Sequence, residues 1–381
     1  MILPTTTEGV HAYLHEIFAD DLHAKRVLSL ASATSGLLKA TTLSVHAIGR
    51  ALAEEDKLEP RHAIKQVDRL MSNAGIDPWA LAASWVPYVV SFRAEIVVAI
   101  DWTDFDHDDQ TTCSLHLVTN HGRATPLLWK TVRKSELRGQ RNQIEDDIFL
   151  RLKEVLAPGT KVTVLADRGF ADRALFAFLD QLHFDYVIRI KANSLVVADG
   201  VQQTAGQWVG PNGRAKKLAA PLVTQHRVAV GAVVVTRAKG MKDTWCLVTS
   251  HGEPSATDII KLYGMRAKIE EGYRDIKNLR FGMGLSSTRV GDPARRDRML
   301  LVCAIGLALL TLLGAAGESV GLERHLKANT VKTRSYSLFR QGLHYYEWLP
   351  GMRVEWAEPL LHRFGEMLAE QRFIFDTFSR L

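Results

Sequence analysis

The sequence predicts an α/β protein in which a mixed sheet with a β-rich insertion lies between helical N-terminal and C-terminal regions. Apolar residues at spacings of three and four predict helices over residues 1–93. Three strand-like runs in hairpin connection follow, and residues 144–191 then alternate helix, strand, helix and strand. This order of elements builds a mixed sheet with helices packed on it. The three runs are EIVVAID, CSLHLVT and ATPLLWKTV.

The second half of the chain divides into a β-rich segment and a helical one. Residues 194–254 contain LVVADGVQQ, RVAVGAVVVTR and TWCLVTS, which predict a separate β unit. The residues after 255 are helical almost to the end, and they include the uncharged run Met299–Gly317, which is long enough to cross a membrane. Because this run is the only one of its kind and holds three glycines and a threonine, we interpret it as a buried core helix.

Composition restricts the classes of partner and of site. The 381 residues are enough for two or three domains, and the net charge of +6 suits an anionic partner. Cys113, Cys246 and Cys303 show no metal-ligand spacing, which argues against a disulfide framework or a zinc site and fits a reducing cytoplasm. The sequence lacks a glycine-rich phosphate loop, a nucleophile elbow and a dinucleotide fingerprint, so it gives no support to a small-molecule enzyme.

Basic segments occur in both terminal regions. TLSVHAIGRAL and RHAIKQVDRLM predict two short helices that could form a helix-turn-helix-like pair. Arg61, Lys65 and Arg69 form a stripe on the second helix. Phosphate binding and the solvated face of a small bundle are equally good interpretations of this stripe. The same two interpretations apply to RRDR (Arg295–Arg298) and KTRSYSLFR (Lys332–Arg340).

Two aspartates stand at the ends of apolar runs. Asp101 closes EIVVAID and Asp167 closes KVTVLAD. Ligands of open sheets gather at strand ends, and two neighbouring carboxylates there could bind Mg²⁺, which prefers oxygen ligands. A third carboxylate from a helix would complete a site for two ions that clamp a phosphodiester. Asp104 is the alternative to Asp101 as a ligand. An isolated aspartate at a strand end is more often a turn former or a helix cap.

The segment YGMRAKIEEGYRDIK predicts a helix that could supply this third carboxylate. At about 100° per residue, Tyr263, Arg266, Glu270 and Lys277 lie within an arc of about 60°. Glu271 lies about 100° from Glu270 and leaves the shared face. The arc adjoins an apolar stripe that would pack on the sheet, formed by Leu262, Met265, Ile269, Tyr273 and Ile276. Considered without the aspartates, surface pairing of opposite charges four residues apart is the simpler interpretation.

The spacing Y-x2-R-x3-E-x6-K of this segment resembles the signature of the YREK group of bacterial insertion-sequence transposases, the family founded on insertion sequence four. AIDWTD and LADRGF look like the two aspartate segments of that family, and KDTWCLVTS looks like its tryptophan-bearing strand. RHAIKQVDRL and ANTVKTR are similar to segments of the transposon-ten type of enzyme. The resemblance extends from about residue 10 to about residue 345, nearly the whole chain.

The resemblance implies a ribonuclease-H-like catalytic domain in two parts, residues 94–193 and 255–318, with the β-rich insertion 194–254 between them. It also implies a helical DNA-binding domain, 1–93, and a helical C-terminal region, 319–381. Members of the family act on DNA that carries inverted-repeat transposon ends. Two paired protomers cut those ends through a hairpin intermediate and join them to target DNA. The resemblance therefore implies a homodimer in the DNA complex, no membrane association, and a bacterial cytoplasmic protein that is nucleoid-associated when bound to DNA.

The resemblance also assigns roles to seven residues. It implies that Asp101, Asp167 and Glu270 are catalytic and bind two Mg²⁺ ions, for which Mn²⁺ can substitute. The positions that hold phosphates near the cleaved end match Tyr263, Arg266 and Lys277, and the position on which a flipped base stacks matches Trp245. Two other functions compete with transposition: a catalytically silent DNA-binding regulator, and a structure-selective nuclease on the same fold.

Overall fold

The computed structural model of the protein describes residues 3–119, 121–279 and 282–369. The N-terminal region is helical, as predicted. Side-chain oxygens of Thr6, Ser44 and Asp77 accept backbone N–H groups and begin three of its helices. The five helices are α1 (Thr7–Phe18), α2 (Ala24–Ala40), α3 (Val45–Asp56), α4 (Pro60–Met71) and α5 (Pro78–Val90).

Helices α3 and α4 correspond to the two short helices predicted in this region. Ala63 and Val67 on α4 are buried, whereas Arg61, Lys65 and Arg69 are exposed. The 3.6-residue period of the helix therefore separates a packed apolar face from a basic one. The basic stripe faces solvent, where an anionic partner can reach it.

A mixed eight-stranded sheet forms the centre of the protein and confirms the predicted ribonuclease-H-like fold class. Three antiparallel strands come first, β1 (Glu95–Phe105), β2 (Gln110–Val118) and β3 (Ala124–Arg133). Next are α6 (Arg141–Val155), β4 (Lys161–Ala166), α7 (Arg173–Leu182) and β5 (Asp185–Arg189), and the strands run parallel in the order β1, β4, β5. The whole sheet has the order β3-β2-β1-β4-β5-β12-β11-β8.

The insertion is not a separate β unit throughout. It contains β6 (Leu195–Ala198), β7 (Val201–Thr204), β8 (Lys216–Ala219), β9 (Leu222–Val223), β10 (Val228–Ala229), β11 (Ala232–Thr236) and β12 (Trp245–Thr249). Strands β6, β7, β9 and β10 form their own four-stranded sheet, as predicted, but β12, β11 and β8 extend the central sheet beyond β5. The physical reason is that the apolar strands AVVVT and WCLVT can be buried there, while β5 would otherwise be an exposed edge.

Two helices cover one face of the central sheet and bring the predicted glutamate to it. They are α8 (Ala256–Gly264) and α9 (Ala267–Lys277). Ile259 and Ile269 of these helices pack on Ala99, Leu165 and Leu247 of the strands. Ile96, Val98 and Ile100 of β1 belong to the larger core on the opposite face. The alternation of side chains along β1 thus decides which of its polar residues can meet α9.

The prediction of one continuous helix over Tyr263–Lys277 was wrong. Helix α8 ends at Gly264 and α9 begins at Ala267. At this junction the Met265 and Arg266 N–H groups donate to carbonyl oxygens three residues earlier, at 3.1 and 2.9 Å. Gly264 has a low helix propensity, and this tighter 3₁₀-type turn changes the angle between side chains. The arc calculated for a straight helix therefore does not hold across the junction.

The uncharged run Met299–Gly317 lies within α10 (Pro293–Ser319), which is the central core helix. Its length and composition would allow it to cross a membrane, yet 89% of its most apolar window is buried inside the protein. Helix α11 (Leu338–Trp348) crosses it closely, because a Cβ on Gly314 would lie 1.9 Å from the Leu338 carbonyl oxygen. The prediction of a core helix is confirmed. Helix α12 (Val354–Ala369) follows, and the remainder of the predicted helical C-terminal region, 370–381, lies outside the described residues.

The basic run RRDR at the start of α10 does not form a basic surface. Arg296 is fully buried and pairs with Asp108 at 2.6 Å, and Arg298 donates to backbone carbonyls of Met71 and Ile76. Arg295 pairs with Asp68 at 2.6 Å. These arginines hold α10 to neighbouring segments, so neither of the two interpretations given to the run was correct. The run 332–340, in contrast, is mostly exposed.

Candidate active site

Asp101 and Asp167 lie at the same level of two neighbouring parallel strands. Ala99 of β1 pairs with Leu165 of β4, and each aspartate comes two residues later. Asp167 directly follows β4, as predicted, but Asp101 does not end its strand, because β1 continues to Phe105. The hairpin partner β2 stays paired with β1 beyond Asp101, which itself pairs with Ser114. Asp101 and Asp167 thus lie toward the same end of the sheet, the end at which β4 finishes.

The turn after β4 fixes the orientation of the Asp167 carboxylate. The Gly169 N–H donates to Asp167 Oδ1 at 2.7 Å, and the Phe170 N–H donates to the Asp167 carbonyl oxygen at 3.2 Å. A Cβ on Gly169 would lie 3.0 Å from the same Oδ1, closer than side chains ordinarily pack. A glycine therefore suits this position next to the carboxylate.

The structure rules out Asp104 as an alternative to Asp101. Successive side chains of a strand point to opposite faces, so Asp104 points away from the face that carries Asp101 and α9. Its carboxylate pairs with Lys134 Nζ at 2.8 Å. Lys134 also pairs with Asp106, at 2.6 Å, and holds the loop after β1. Asp104 is therefore a loop-stabilising residue.

Arg266 joins the first strand to the predicted catalytic helix. Its Nη2 lies 3.2 Å from Asp101 Oδ2, and its Nη1 lies 2.6 Å from Glu270 Oε1. The Arg266 side chain is buried, whereas Glu270 is more than half exposed. Sequence reasoning placed Arg266 on a phosphate-facing surface, but here its guanidinium neutralises two of the three carboxylates. Glu271 faces away and pairs with Arg274, as its position on the helix predicts.

The charges of the surrounding side chains act on Asp101. The pKa of Asp101 is raised to about 6, chiefly by burial, against the opposing charge of Arg266. The negative charges of Asp167 and Glu270 also raise this pKa. Burial disfavours the charged form of Arg266, yet the negative charge around it, above all that of Asp101, leaves the pKa of Arg266 raised overall. Asp101 and Arg266 are thus electrostatically linked to each other and to the charges of Asp167 and Glu270, and we call these four residues the carboxylate cluster.

The three predicted metal ligands are oxygen donors of the kind that Mg²⁺ prefers, but the structure does not bring them together as a metal-binding group. Within residues 3–119, 121–279 and 282–369, no three His, Cys, Asp or Glu side chains lie close enough together to form a metal-binding group. The Arg266 guanidinium lies between two of the three carboxylates. Burial is the main cause of the raised pKa of Asp101, and the negative charges of Asp167 and Glu270 add to it. A divalent cation would stabilise the charged form of Asp101, as Arg266 does.

Trp245 and Tyr263 form an aromatic pair at the same edge of the sheet. Their rings are perpendicular, with centroids 5.0 Å apart. Trp245 is the first residue of β12 and is half-buried, while Tyr263 is buried and its pKa is raised to about 12, mainly by that burial. Ala166, the residue before Asp167, pairs with Ile188 of β5, and Arg189 of β5 pairs with Leu247 of β12. Because β12 runs antiparallel to β5, Trp245 lies two residues beyond Leu247 toward the end of the sheet that carries Asp167. The pair thus lies next to the carboxylate cluster.

Lys277 occupies the opposite end of α9. Its Nζ donates to the Asp104 carbonyl oxygen at 3.3 Å and lies 5.1 Å from the centre of the Phe105 ring. Burial lowers the pKa of Lys277, against the raising effect of Asp104 and Asp106. Lys277 therefore lies beside the last residues of β1 and does not contact the pairs that Arg266 makes with Asp101 and Glu270.

Sequence reasoning missed a supporting network on the other face of the sheet. Glu145 is buried, and its Oε1 accepts hydrogen bonds from Trp102 Nε1 at 2.7 Å and from Arg141 Nε at 3.1 Å. The Arg141 guanidinium also lies over the rings of Trp102 and Phe170. Because Trp102 follows Asp101 and Phe170 closes the Asp167 turn, this network ties the two carboxylate-bearing segments together. The spacing R-x3-E, the same as in Arg266–Glu270, was the available signal.

Comparison with known proteins agrees with this arrangement. A sequence model of the family described as the transposase DDE domain matches residues 93–307. The match covers more than half of the chain and includes the central sheet, α8 and α9. No curated protein matches the chain.

Proposed function

The chain belongs to the transposase DDE domain family, and from this premise we propose that it is a transposase of the YREK group that cuts transposon ends and joins them to target DNA. The family acts on DNA and generally uses divalent metal ions. The observation that carries the finer proposal is the position of Arg266 between Asp101 and Glu270, with Asp167 at the end of the neighbouring strand. A YREK arginine thereby contacts two of the three proposed acidic residues, and the third directly follows the neighbouring strand.

Asp101, Asp167 and Glu270 would hold two Mg²⁺ ions, or Mn²⁺ as a substitute. Such ions activate the attacking oxygen and stabilise the leaving oxygen of an in-line phosphodiester displacement. Asp101 lies on a strand, Asp167 in the hydrogen-bonded turn that directly follows a strand, and Glu270 on a helix, so each carboxylate is held by a separate element. Burial of Asp101 excludes water from one side of the cluster and strengthens the local electrostatic interactions.

The residues around the carboxylates suit a DNA end. Arg266 offers a forked guanidinium and Lys277 a point charge, and both groups bind phosphates. Tyr263 packs edge-on against the Trp245 ring. The proposed reaction begins with hydrolysis of one strand. The freed 3′-hydroxyl then attacks the opposite strand, and the resulting hairpin is reopened before the end is joined to target DNA.

The domain assignments and partners complete the proposal. The exposed stripe Arg61, Lys65 and Arg69 would bind phosphates of the terminal repeat within domain 1–93. Two protomers would pair two ends, and each would cut the end that its partner chiefly binds. The net charge of +6 agrees with a protein that works on the nucleoid of a bacterial cytoplasm.

A cleavage assay tests this function. The purified chain is incubated with DNA that carries the inverted repeats flanking its own coding region, in Mg²⁺, Mn²⁺ or EDTA. We expect metal-dependent cutting at the repeat ends, a hairpin on denaturing gels, and joining of the 3′ ends to a target plasmid. Binding without cutting would indicate the silent regulator, and cutting of pre-formed DNA structures without joining would indicate the nuclease.

Trp245→Ala is expected to impair hairpin formation more than the first nick. Extruding a base relieves crowding in the sharply bent strand, and an aromatic face returns about 1–3 kcal/mol per base, so the hairpin step should slow by about 10- to 100-fold. Trp245→Phe, which keeps an aromatic ring beside Tyr263, should recover most of this rate. The two steps are measured separately on intact and pre-nicked ends. Equal loss of both steps, together with a lower melting temperature, would assign Trp245 to the core.

A further inference from the structure

Helix α9 lies alongside the part of β1 that continues beyond Asp101. Arg266, just before the helix, contacts Asp101, and Lys277, its last residue, contacts Phe105, the last residue of the strand. Asp101 and Phe105 share one face of β1, because side chains alternate, and lie about 13 Å apart at about 3.3 Å per residue. The helix from Arg266 to Lys277 spans about 16 Å at about 1.5 Å per residue. The end of β1 is therefore long enough to contact both ends of α9.

The ring of Phe105 lies against two cations. Lys277 Nζ is 5.1 Å from the centre of the ring and Arg296 Cζ is 3.8 Å from it. Both distances are within the limit of about 6 Å for a cation–π contact. Phe105 is buried, and the face of a phenyl ring attracts a cation. The ring therefore restricts the positions that the Lys277 ammonium can take.

Arg296 holds this ring from inside the protein. The arginine is fully buried, and its Nε and Nη2 donate to Gln110 Oε1 and Asp108 Oδ2, each at 2.6 Å. Gln110 pairs with Phe105 in the ladder between β1 and β2, and its Nε2 donates to the Val290 carbonyl oxygen at 2.7 Å. These hydrogen bonds fix the guanidinium against which the ring packs.

Lys277 depends on the end of β1 for its position. Among residues 3–119, 121–279 and 282–369, its Nζ makes one hydrogen bond, to the Asp104 carbonyl oxygen at 3.3 Å. An ammonium has three N–H donors, so two remain for a phosphate. A lysine side chain is flexible, and it loses conformational entropy when a ligand holds it in one place. Because Phe105 already restricts this side chain, binding a phosphate costs less entropy.

We propose that Phe105 is a positioning residue for Lys277, whose ammonium it holds where a phosphate of the DNA end binds. The inference rests on the proposed function and deepens it. The ring does not need to touch DNA. It acts through the lysine, at the end of α9 opposite to the one where Arg266 pairs with Asp101. The phosphate bound by Lys277 would thereby be held at a fixed distance from the carboxylate cluster.

A double-mutant cycle tests this coupling. Phe105→Leu, Lys277→Ala and the double variant of the full chain are titrated in Ca²⁺, at several salt concentrations, with a duplex that ends in the repeat. Phe105→Tyr keeps an aromatic face and is the conservative variant. Phe184→Leu is the matched control, because Phe184 is also buried, lies 5.5 Å from Lys153 Nζ, and precedes β5 at the end of the sheet away from Asp167. Circular dichroism melting checks that each variant is folded.

Lys277→Ala is expected to weaken binding about three- to tenfold and to lower the slope of log K against log salt by about 0.7–0.9, the value for one phosphate contact. Phe105→Leu should show about half of this change in slope or more. In the Lys277→Ala background it should weaken binding by less than about twofold further, since the ring acts through this lysine. Phe105→Tyr and Phe184→Leu should bind within about twofold of the wild-type chain. A purely structural role of Phe105 would lower the melting temperature without changing the salt slope.

The possible failures are distinguishable. Independent effects of Phe105→Leu and Lys277→Ala, or an unchanged salt slope in Phe105→Leu, would overturn the proposal and assign Phe105 to the core. If Phe105→Leu melts below the assay temperature, Phe105→Met takes its place in the cycle. An unchanged slope in Lys277→Ala would also overturn the proposal, while cutting by the wild-type chain would uphold the proposed function. If the wild-type chain neither binds nor cuts repeat ends in the presence of metal, both fail.

Discussion

Glu270→Gln, Asp101→Asn and Asp167→Asn are each expected to lower the rate of strand cleavage at a repeat end by at least about 10³-fold. Each substitution removes one negative charge from the donor set that would hold the divalent ions. Metal stabilisation of a phosphodiester displacement contributes several kcal/mol, and each 1.36 kcal/mol corresponds to a factor of ten in rate. Single-turnover cleavage of an end-labelled duplex measures the loss. Binding of the same duplex should persist, because these carboxylates repel phosphates.

The amide variants are better tests than alanine because of Arg266. The amide oxygens introduced by Asp101→Asn and Glu270→Gln could still accept from the guanidinium, so the buried arginine would keep polar partners. Alanine would leave that cation with one partner fewer, and a folding defect would then be confused with a catalytic one. A chemical-denaturation curve for each variant separates the two effects.

The chain provides matched controls on the same two elements. Asp104→Asn lies three residues after Asp101 on the opposite face of β1, and Glu271→Gln is next to Glu270 on α9. Their carboxylates pair with Lys134 and with Arg274, so we expect changes in cleavage of less than about threefold, in line with surface ion pairs. Cleavage by Glu270→Gln at the level of Glu271→Gln would remove the glutamate from the mechanism.

Local pattern was enough to predict the sheet and the position of two carboxylates. Runs such as EIVVAID and KVTVLA are rich in apolar and β-branched residues, which predicts strands. Because these residues are apolar, the strands must be buried in the core. Because β1 and β4 are parallel neighbours, Asp101 and Asp167 lie toward the same end of the sheet. The buried helix α10 was predictable for a similar reason, since its length and apolar content far exceed those of a surface helix.

The features that were missed depend on tertiary contacts. Two backbone hydrogen bonds and the burial of Arg266 accompany the helix break at Met265–Arg266. The spacing of apolar residues along the sequence does not predict either feature. The pairing of β12 with β5 joins residues about 60 positions apart, and no short window contains that partner. Burial of Arg296 depends on Asp108, nearly 190 residues away in the chain. The role of Asp104 was misjudged because the face it occupies depends on how far β1 continues.

We expect two roles for Arg266, and different measurements on one variant can separate them. Its guanidinium is a counter-ion for Asp101 and Glu270 in the protein without DNA, and the proposed function also requires it to bind a phosphate. Divalent ions would neutralise the same carboxylates, so ions and guanidinium compete for them. Removing a buried cation from its partners costs about 3–5 kcal/mol when both are fully buried. Because Glu270 is more than half exposed, we expect Arg266→Ala to lose about 1–3 kcal/mol of unfolding free energy in EDTA.

Arg266→Ala should therefore bind Mn²⁺ about tenfold more tightly than the wild-type chain while cutting DNA at least about 100-fold more slowly. The gain in affinity follows from the loss of a competing cation, and the slower cleavage follows from the loss of a forked phosphate contact. Its deficit in melting temperature should shrink as Mn²⁺ is added, since bound ions replace the missing charge. Isothermal titration with Mn²⁺, thermal melts and single-turnover cleavage measure the three quantities. Arg274→Ala is the control on the same helix, because Arg274 pairs with Glu271. Equal Mn²⁺ affinity in Arg266→Ala and Arg274→Ala would show that the ions do not share the carboxylates held by Arg266.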